Sequence, residues 1–427
     1  MQAVFSKNDV IVIAQNGGPT PVINRTLVSL VRKLKELGAE KIYGSRFGTN
    51  GLLKGDFIDL GAQSERALLM AENTPGSALG TSRRDPDEKD CLQISRVFRQ
   101  MGATYFFNIG GDNTADATFK TSNFCIADGY SLKAFHLAKT IDNDLKLHYH
   151  TPGTGSAMLF IADAISRIQN DLDSMPGKVY IAVTMGKDAG FLAASSSLAS
   201  FTGMQGPDKI YLPEVRFNMD GFLTDVEKSV SSDHSAVIVV SEGIWTKEVP
   251  NSNTRRMEHE PLLKTIGAVH GGDGFGGVTL SGTGALGDFL AKTVREQLKI
   301  KEVRADTFGY IPRSSRASIV DAAEATLVGA EAPMHALSGA QTGSVALKPF
   351  DERENGMATR LALLEIVGSK VKREMPPEFL SSDGNYVSGK FAEYALPLIG
   401  GADALPKFGS LERKFFRVEP QIEKISA

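Results

Sequence analysis

The feature that most constrains how this 427-residue chain can fold is a recurring local pattern, an apolar run that breaks at a glycine-bearing turn. Residues 10–14 read Val-Ile-Val-Ile-Ala and lead into Asn-Gly-Gly-Pro-Thr at 16–20, and comparable turns follow residues 105–109 and 179–183. Uninterrupted apolar runs of this length are typical of strands buried in parallel sheets. After the first turn, apolar residues recur at helical spacing across 23–34. The alternation predicts a doubly wound α/β fold, with ligand-binding turns gathered at the carboxyl ends of the strands.

The length of the chain predicts several domains. A chain of 427 residues is too long for one ordinary core, and roughly two or three domains are expected. We predict two Rossmann-like domains, the first formed by residues 1–153 with about 312–365 and the second by about 154–311. The pattern weakens across 245–303, which we interpret as an insertion, and about 366–427 form a C-terminal extension.

Composition narrows the class of protein. Apolar residues make up 42% and charged residues 23%, and no apolar stretch is long enough to span a membrane. The N-terminus does not read as a secretory signal, and Cys91 and Cys125 are too few for a disulfide-stapled fold or a thiolate zinc site. We therefore expect a cytoplasmic protein. A net charge of −3 provides no global basic field, so nucleic acid is not an expected partner.

An unusual polar stretch follows the apolar run 134–137. Residues 139–145 read Lys-Thr-Ile-Asp-Asn-Asp-Leu and place a cation, a hydroxyl and two carboxylates where a strand is expected to end. A solvated turn would explain the same composition, because Asp and Asn hydrogen-bond their own backbone. The functional alternative is acid–base chemistry, since a free Asp has a pKa of about 3.9 and is ionised near neutrality. Asp142 and Asp144 are the candidate bases.

The turn Gly110-Gly111-Asp112 has a physical logic of its own. Two glycines let the backbone approach a phosphate closely, and the helix start behind them presents free amide groups to anions. Asp112 could hold Mg²⁺ through one carboxylate while phosphates and water complete the shell, or it could simply cap the helix. Gly18, in the first turn, repeats the design.

Several of these turns together resemble a known family. The matching segments are 110–114, 139–144, 185–187, 213–214, 242–243 and 304–313. Their types and order resemble those of the 6-phosphofructokinases, particularly the pyrophosphate-dependent branch, over about residues 9–330 apart from 245–303. The resemblance implies two domains of the phosphofructokinase type, one for the phosphoryl donor and one for the sugar phosphate. It also implies Mg²⁺-dependent, reversible transfer of a phosphoryl group from pyrophosphate to the 1-hydroxyl of fructose 6-phosphate.

The resemblance further implies roles for individual residues. Asp142 would be the general base, Thr140 would lie beside the sugar's 1-hydroxyl, and Lys139 would offset charge on the bridging oxygen. Asp112 would serve Mg²⁺, and the donor phosphates would face Gly18, Gly111 and Arg83. The residues implied for the sugar phosphate are Thr140, Asp142, Asp144, Lys178, Met185, Gly186, Lys187, Glu242, Arg304, Tyr310 and Arg313. Lys178 and Arg304 match positions that reach into a neighbouring subunit's site, which implies a homodimer or larger homo-oligomer.

Two positions depart from the family's usual pattern. Lys178 and Lys187 stand where Arg is usual, so phosphate would meet a point charge rather than a bidentate fork. Asn113 stands where ATP users typically have Gly and pyrophosphate users have Asp. Asn supplies bulk without charge, so it must exclude ATP by shape and dipole. We predict pyrophosphate as the donor.

Three alternatives differ from this prediction. An ATP-dependent 6-phosphofructokinase would share most of the motifs. A nicotinamide oxidoreductase is suggested only by the spacing of Gly272, Gly274 and Gly277, which lack a preceding strong strand and a partner acid for ribose. A non-catalytic phosphosugar sensor would keep the glycine turns and arginines without needing Asp142.

Overall fold

Two parallel β-sheets organise the chain, and the turns of interest lie at their carboxyl edges. The computed structural model describes residues 4–231, 233–250, 257–269, 280, 282–353, 356–369 and 371–409. Gly272, Gly274 and Gly277, the basis of the nicotinamide alternative, lie outside the described residues, as do 410–427 of the predicted extension.

The described strands, in chain order, are β1 (Val10–Gln15), β2 (Lys41–Ser45), β3 (Phe57–Asp59), β4 (Ala103–Gly110), β5 (Lys133–Ala138), β6 (Val179–Thr184), β7 (Lys209–Tyr211), β8 (Ala236–Ser241), β9 (Trp245–Pro250), β10 (Met257–Pro261), β11 (Val303–Thr307), β12 (Thr342–Leu347) and β13 (Thr359–Ala362).

The described α-helices are α1 (Ile23–Glu36), α2 (Thr49–Lys54), α3 (Glu65–Glu72), α4 (Glu88–Met101), α5 (Asp112–Ala127), α6 (Thr154–Asp173), α7 (Phe191–Ser195), α8 (Met219–Ser229), α9 (Leu262–Thr265), α10 (Ala285–Leu298), α11 (Ile319–Leu337), α12 (Leu364–Val367) and α13 (Gly389–Ile399). No helix in these ranges combines the length and apolar character needed to cross a membrane.

The larger sheet has seven strands in the order β13-β12-β5-β4-β1-β2-β3. Its central pairs are parallel, and only the edge strands β3 and β13 run antiparallel to their neighbours. From β1 the chain continues to β2 on one side, whereas β4 lies on the other, so the strand order reverses between β1 and β4. Ligands bind at such a reversal, outside the carboxyl ends of the strands. The turns at 16–18 and 110–112 both open there.

The smaller sheet is wholly parallel, with the order β11-β6-β8-β7. Together the two sheets confirm the predicted α/β fold, and the apolar runs 10–14, 105–109 and 179–183 lie within β1, β4 and β6. These runs became strands because every residue of β1 and nearly all of β4 and β6 are buried between helical layers.

Two segments beyond the central pattern contribute to the cores. Inside the range interpreted as an insertion, β9 and β10 form a separate hairpin, whereas α10 buries Leu286, Leu290 and Val294 in the core of the smaller sheet. In the range interpreted as a C-terminal extension, α13 buries Phe391 and Leu398 in the same cluster as helix α6. The chain thus returns from its C-terminal part to the centre of the molecule.

Helices α1 and α11 approach each other closely at Gly329. A Cβ built there would lie 2.3 Å from the carbonyl oxygen of Thr26 and 2.9 Å from the amide nitrogen of Leu30. This contact fixes α11, whose first turn carries Asp321. The Asp321 carboxylate accepts hydrogen bonds from the amides of Gly153 (2.8 Å) and Ser156 (2.9 Å) at the start of α6. Packing of the α-layer therefore positions the segment that follows the polar turn.

We expect Gly329→Ala to destabilise the fold by roughly 1–3 kcal/mol, because the added methyl group overpacks two helix backbones. Thermal denaturation should show a melting temperature lower by several degrees. Gly389→Ala is the matched control, since a Cβ at that helical position meets no atom within 4 Å. Equal melting temperatures for Gly329→Ala and the parent protein would contradict the close-packing argument.

Candidate active site

The candidate site forms where three turns meet at the carboxyl edge of the larger sheet. The turns follow β1, β4 and β5, and backbone hydrogen bonds join them: Asn16 N donates to Ile109 O (2.9 Å) and Lys139 N donates to Gly110 O (2.8 Å). Gly17 has φ +75°, a left-handed conformation that glycine adopts without a steric cost. The sheet edge therefore holds the three turns in fixed register.

Lys139 points from the third turn into the first. Its side chain is buried, and its ammonium donates a hydrogen bond to the carbonyl oxygen of Gly18. Burial, and then the like charge of Arg313, lower the pKa of Lys139 from its usual value to about 7. The negative charge of Asp142 opposes that shift. An anion bound beside this ammonium would restore its preference for the charged form.

Arg313 lies directly over the backbone of Gly18. A Cβ on Gly18 would fall 2.7 Å from the guanidinium carbon, so the absence of a side chain permits the approach. Burial lowers the pKa of Arg313, the opposite charge of Asp142 raises it, and the like charge of Arg83 lowers it again. Three cations, Lys139, Arg313 and Arg83, thus converge on the first turn around one half-buried carboxylate. Such a cluster favours a polyanionic ligand.

A tight turn of its own fixes Asp142. Its amide donates to the Thr140 hydroxyl oxygen (3.1 Å), and that hydroxyl donates to the Asp142 carboxylate (3.4 Å). The next residue, Asn143, has φ +60°, a left-handed conformation. Asp142 and Asp144 consequently have different neighbours, although only one residue separates them.

Asp144 belongs to a second cluster, centred on Lys372. The ammonium of Lys372 lies 2.6 Å from the Asp144 carboxylate, 2.5 Å from Asp112 and 3.9 Å from Asp188. Burial raises the pKa of Asp144 to about 7, against the opposing effect of Lys372. Burial acts to raise the pKa of Asp112 too, but Lys372 and the nearby backbone amides lower it overall. The single charge of the ammonium cannot fully compensate the charges of two carboxylates, of which Asp144 is buried and Asp112 is half-buried.

The same two carboxylates are candidate ligands for a cation. Asp112 stands in the first turn of α5, after the glycine pair, and Asp144 faces the same point from the third turn. Mg²⁺ typically binds one or two carboxylates and completes its shell with phosphate and water, so this pair fits that ion. Among the described residues, no group of three or more His, Cys, Asp or Glu side chains is arranged to hold a metal.

The turns that follow β6 and β8 of the smaller sheet carry residues implied for the sugar. Met185 is buried, and Gly186 has φ +130° with its carbonyl accepting a hydrogen bond from the Ser241 hydroxyl (2.6 Å). A Cβ on Gly243 would fall 2.0 Å from the Lys187 carbonyl oxygen, so the two turns touch through their backbones.

Glu242, in the turn that follows β8, and Tyr310 both lie near Arg313. Glu242 is buried, and its negative charge raises the pKa of Arg313. The Arg313 guanidinium lies 4.7 Å from the centre of the Tyr310 ring. Glu242 and Tyr310, which are implied for the sugar phosphate, therefore lie near Arg313, as do Gly18 and Arg83, which are implied for the donor.

Lys178 and Arg304 do not join this cluster. Lys178 immediately precedes β6, whereas Met185 follows that strand. Arg304 pairs with Tyr180 near the start of β6. A strand of six residues spans about 20 Å, so both cations lie at the far edge of the smaller sheet. Any role in phosphate binding would have to be in another subunit's site, and that role stays a prediction.

The remaining donor-side residues lie at the start of α5. Gly111 is the N-cap, and a Cβ on it would pass 3.7 Å from the Lys139 carbonyl oxygen. Asn113 is the second residue of the helix and half-buried. A contribution of Gly111 or Asn113 to donor binding remains a prediction.

Sequence reasoning missed Lys372. Its contact with Asp144 joins residues 228 positions apart, and no local motif surrounds it. The only sequence signal was the pair Lys372-Arg373 within the predicted extension, which would ordinarily indicate a solvated surface.

Comparisons with known proteins agree with this geometry. A model of the family described as phosphofructokinase matches residues 10–336. A protein named pyrophosphate–fructose 6-phosphate 1-phosphotransferase from Rhodospirillum rubrum is 38% identical over 395 residues, covering 91% of this chain and 94% of its own. A protein of the same name from Xanthomonas campestris pv. campestris is 32% identical over 430 residues, covering 95% and 96%.

Solved structures lead to the same conclusion. The crystal structure of a pyrophosphate-dependent phosphofructokinase from Nitrosospira multiformis superposes with a TM-score of 0.78 at 27% identity, covering 96% of this chain and 95% of that one. The resemblance seen in the order of the turns is thereby confirmed. The chain belongs to the phosphofructokinase family.

Proposed function

We propose that this protein transfers a phosphoryl group from pyrophosphate to the 1-hydroxyl of fructose 6-phosphate, reversibly, giving fructose 1,6-bisphosphate and phosphate. The observation that carries the proposal is the separation of two carboxylates in one turn. The negative charge of Asp142 raises the pKa of Arg313 and of Lys139. Asp144 instead forms an ion pair with Lys372, which also pairs with Asp112. Phosphoryl transfer needs both a base and a cation site, and here they are adjacent.

Asp142 accepts the proton of the sugar's 1-hydroxyl in the proposed reaction. That oxygen forms a bond to the terminal phosphorus of pyrophosphate, and the bridging P–O bond breaks to release phosphate. The hydrogen bond from Thr140 and the turn that it closes orient the Asp142 carboxylate. Positioning of this kind supplies much of the catalysis in phosphoryl transfer.

Lys139 offsets the charge that develops on the transferred group and the bridging oxygen. It is held against Gly18, at the turn proposed to face the donor, and Arg83 adds a second positive charge. Cations that are fixed before the substrate binds need not reorganise during the reaction.

Asp112 and Asp144 would hold Mg²⁺. When bound, that ion would bring positive charge to the donor phosphate oxygens. On the acceptor side we assign Met185, Gly186, Lys187 and Glu242 to the sugar, and Tyr310 and Arg313 to its 6-phosphate.

We also propose a homodimer or larger assembly. Lys178 and Arg304 lie too far from their own Asp142 to bind its substrate, which supports a role in a neighbouring subunit. The cytoplasm, where sugar phosphates are metabolised, is the proposed location.

We expect the protein to use pyrophosphate and not ATP in a coupled assay that detects fructose 1,6-bisphosphate. Asn113, at the start of α5, would occupy the space that a nucleotide's α-phosphate requires. Asn113→Gly should therefore gain measurable turnover with ATP.

Asn123→Gly, an exposed position on the same helix, controls for the roughly 1 kcal/mol cost of glycine in a helix. Turnover of the parent protein with ATP alone would identify an ATP-dependent enzyme instead. An unchanged donor preference in Asn113→Gly would contradict the occlusion argument.

Asp142→Asn should lower kcat by about 100- to 10,000-fold, because the amide cannot accept the hydroxyl proton. Calorimetry should still detect binding of fructose 6-phosphate, and Asp173→Asn on the exposed end of α6 should leave kcat unchanged. Near-normal kcat in Asp142→Asn would rule out the base, and binding without turnover in the parent protein would indicate a sensor.

The pH dependence of kcat/KM for pyrophosphate should reflect Lys139, whose pKa is lowered to about 7. The charged form is the active one, so kcat/KM should fall as pH rises above about 7. Lys139→Arg should keep its charge at high pH and lose this decline. Ionisation of pyrophosphate itself affects both enzymes equally, so the same decline in both would exclude Lys139 as its origin.

A further inference from the structure

We propose that Lys372 is a positioning residue of the cation site: its ammonium holds Asp112 and Asp144 together while no divalent cation is bound, and cation binding displaces it. The inference rests on the assignment of those carboxylates to a cation in the proposed function. It adds a residue from the C-terminal part of the chain, outside every motif that identified the family.

The geometry of Lys372 is that of a substitute cation. Its nitrogen lies 2.5 Å from an oxygen of Asp112 and 2.6 Å from an oxygen of Asp144. An ammonium has three donors and no acceptor, so it can serve both carboxylates and approach Asp188 at 3.9 Å. Without it, the buried carboxylate of Asp144 and the half-buried carboxylate of Asp112 would face each other with no compensating charge, which is strongly unfavourable.

Lys372 and a divalent cation would compete for the same atoms. Mg²⁺ binds oxygen at about 2.0–2.1 Å, and the Oδ2 atoms of Asp112 and Asp144 are those that already contact the ammonium. Two cations bound to one pair of oxygens would lie only a few ångströms apart and would repel strongly. The ammonium must therefore leave when the metal ion arrives.

Displacement of Lys372 would affect the backbone that follows it. The amide of Arg373 donates to the carbonyl of Asp144 (2.8 Å), and the Arg373 guanidinium donates to the carbonyl of Tyr149 (2.6 Å). The amide of Met375 donates to Glu214 (3.1 Å), which also accepts the Gly190 amide (2.8 Å). Residues 371–376 thus connect the turn that follows β5 to Glu214, which follows β7, and through Glu214 to Gly190, which follows β6.

The first test measures Mg²⁺ binding by calorimetry without substrates. Lys372→Met should bind Mg²⁺ at least about tenfold more tightly than the parent protein, because the competing charge is gone. Lys372→Arg keeps the charge and should stay within about threefold of the parent. Lys390→Met, at an exposed position on α13, is the matched control and should not change the affinity.

The second test starts from the parent protein. Hydrogen exchange of the parent protein should show faster exchange at the amides of Arg373 and Met375 when Mg²⁺ is added. In Lys372→Met those amides should exchange fast with or without the ion. Equal or weaker binding of Mg²⁺ by Lys372→Met, no detectable Mg²⁺ binding to either protein, or unchanged exchange on adding Mg²⁺ would each overturn the inference.

Neither measurement depends on turnover, so the two proposals can fail separately. A protein that shows displacement but does not use pyrophosphate would refute the proposed function alone. An enzyme that uses pyrophosphate but shows no displacement would refute the role of Lys372 alone.

Discussion

The site depends on the left-handed conformation of Asn143, which separates the surroundings of the carboxylates on either side of it. That conformation is uncommon for a residue with a side chain, and here the rest of the protein enforces it. The Asn143 side chain donates a hydrogen bond through Nδ2 to the hydroxyl of Tyr394 (2.7 Å) and accepts one through Oδ1 from the Arg373 guanidinium (3.3 Å). Strained positions persist when surrounding contacts over-determine them, and they cluster at functional sites.

The charged side chains around this turn form two groups, one mainly of cations and one mainly of carboxylates. Cations from separate elements converge on Gly18 and face Asp142, while one ammonium faces Asp112 and Asp144 on the other side. Each half is unfavourable alone, because it gathers like charges in a partly buried space. Together the two groups suit a ligand that places an anion beside the cations and a cation beside the carboxylates. This distribution of charge supports the proposal that a phosphate–metal complex binds here.

The sequence predicted the parts of this arrangement that depend on local pattern. The strands β1, β4 and β6 follow from apolar runs, and Gly111-Asp112 follows from the chemistry of a helix start. Two features could not be predicted that way. Lys372 meets Asp144 across 228 positions, and Tyr394 meets Asn143 across 251. No periodicity records such contacts, because α13 and Met375 pack into the same cluster as α6 and so bring these segments to the turn.

The placement of Tyr394 has a consequence for the making of the protein. A ribosome releases the turn at 139–144 early, whereas the helix that holds Asn143 in place (Gly389–Ile399) emerges some 250 positions later, after both sheets. Until translation has passed that helix, the nascent chain lacks the Tyr394 hydroxyl that accepts the hydrogen bond of Asn143. Completion of this turn therefore waits for the synthesis of Gly389–Ile399, so a nascent chain shorter than that lacks a contact that holds Asn143.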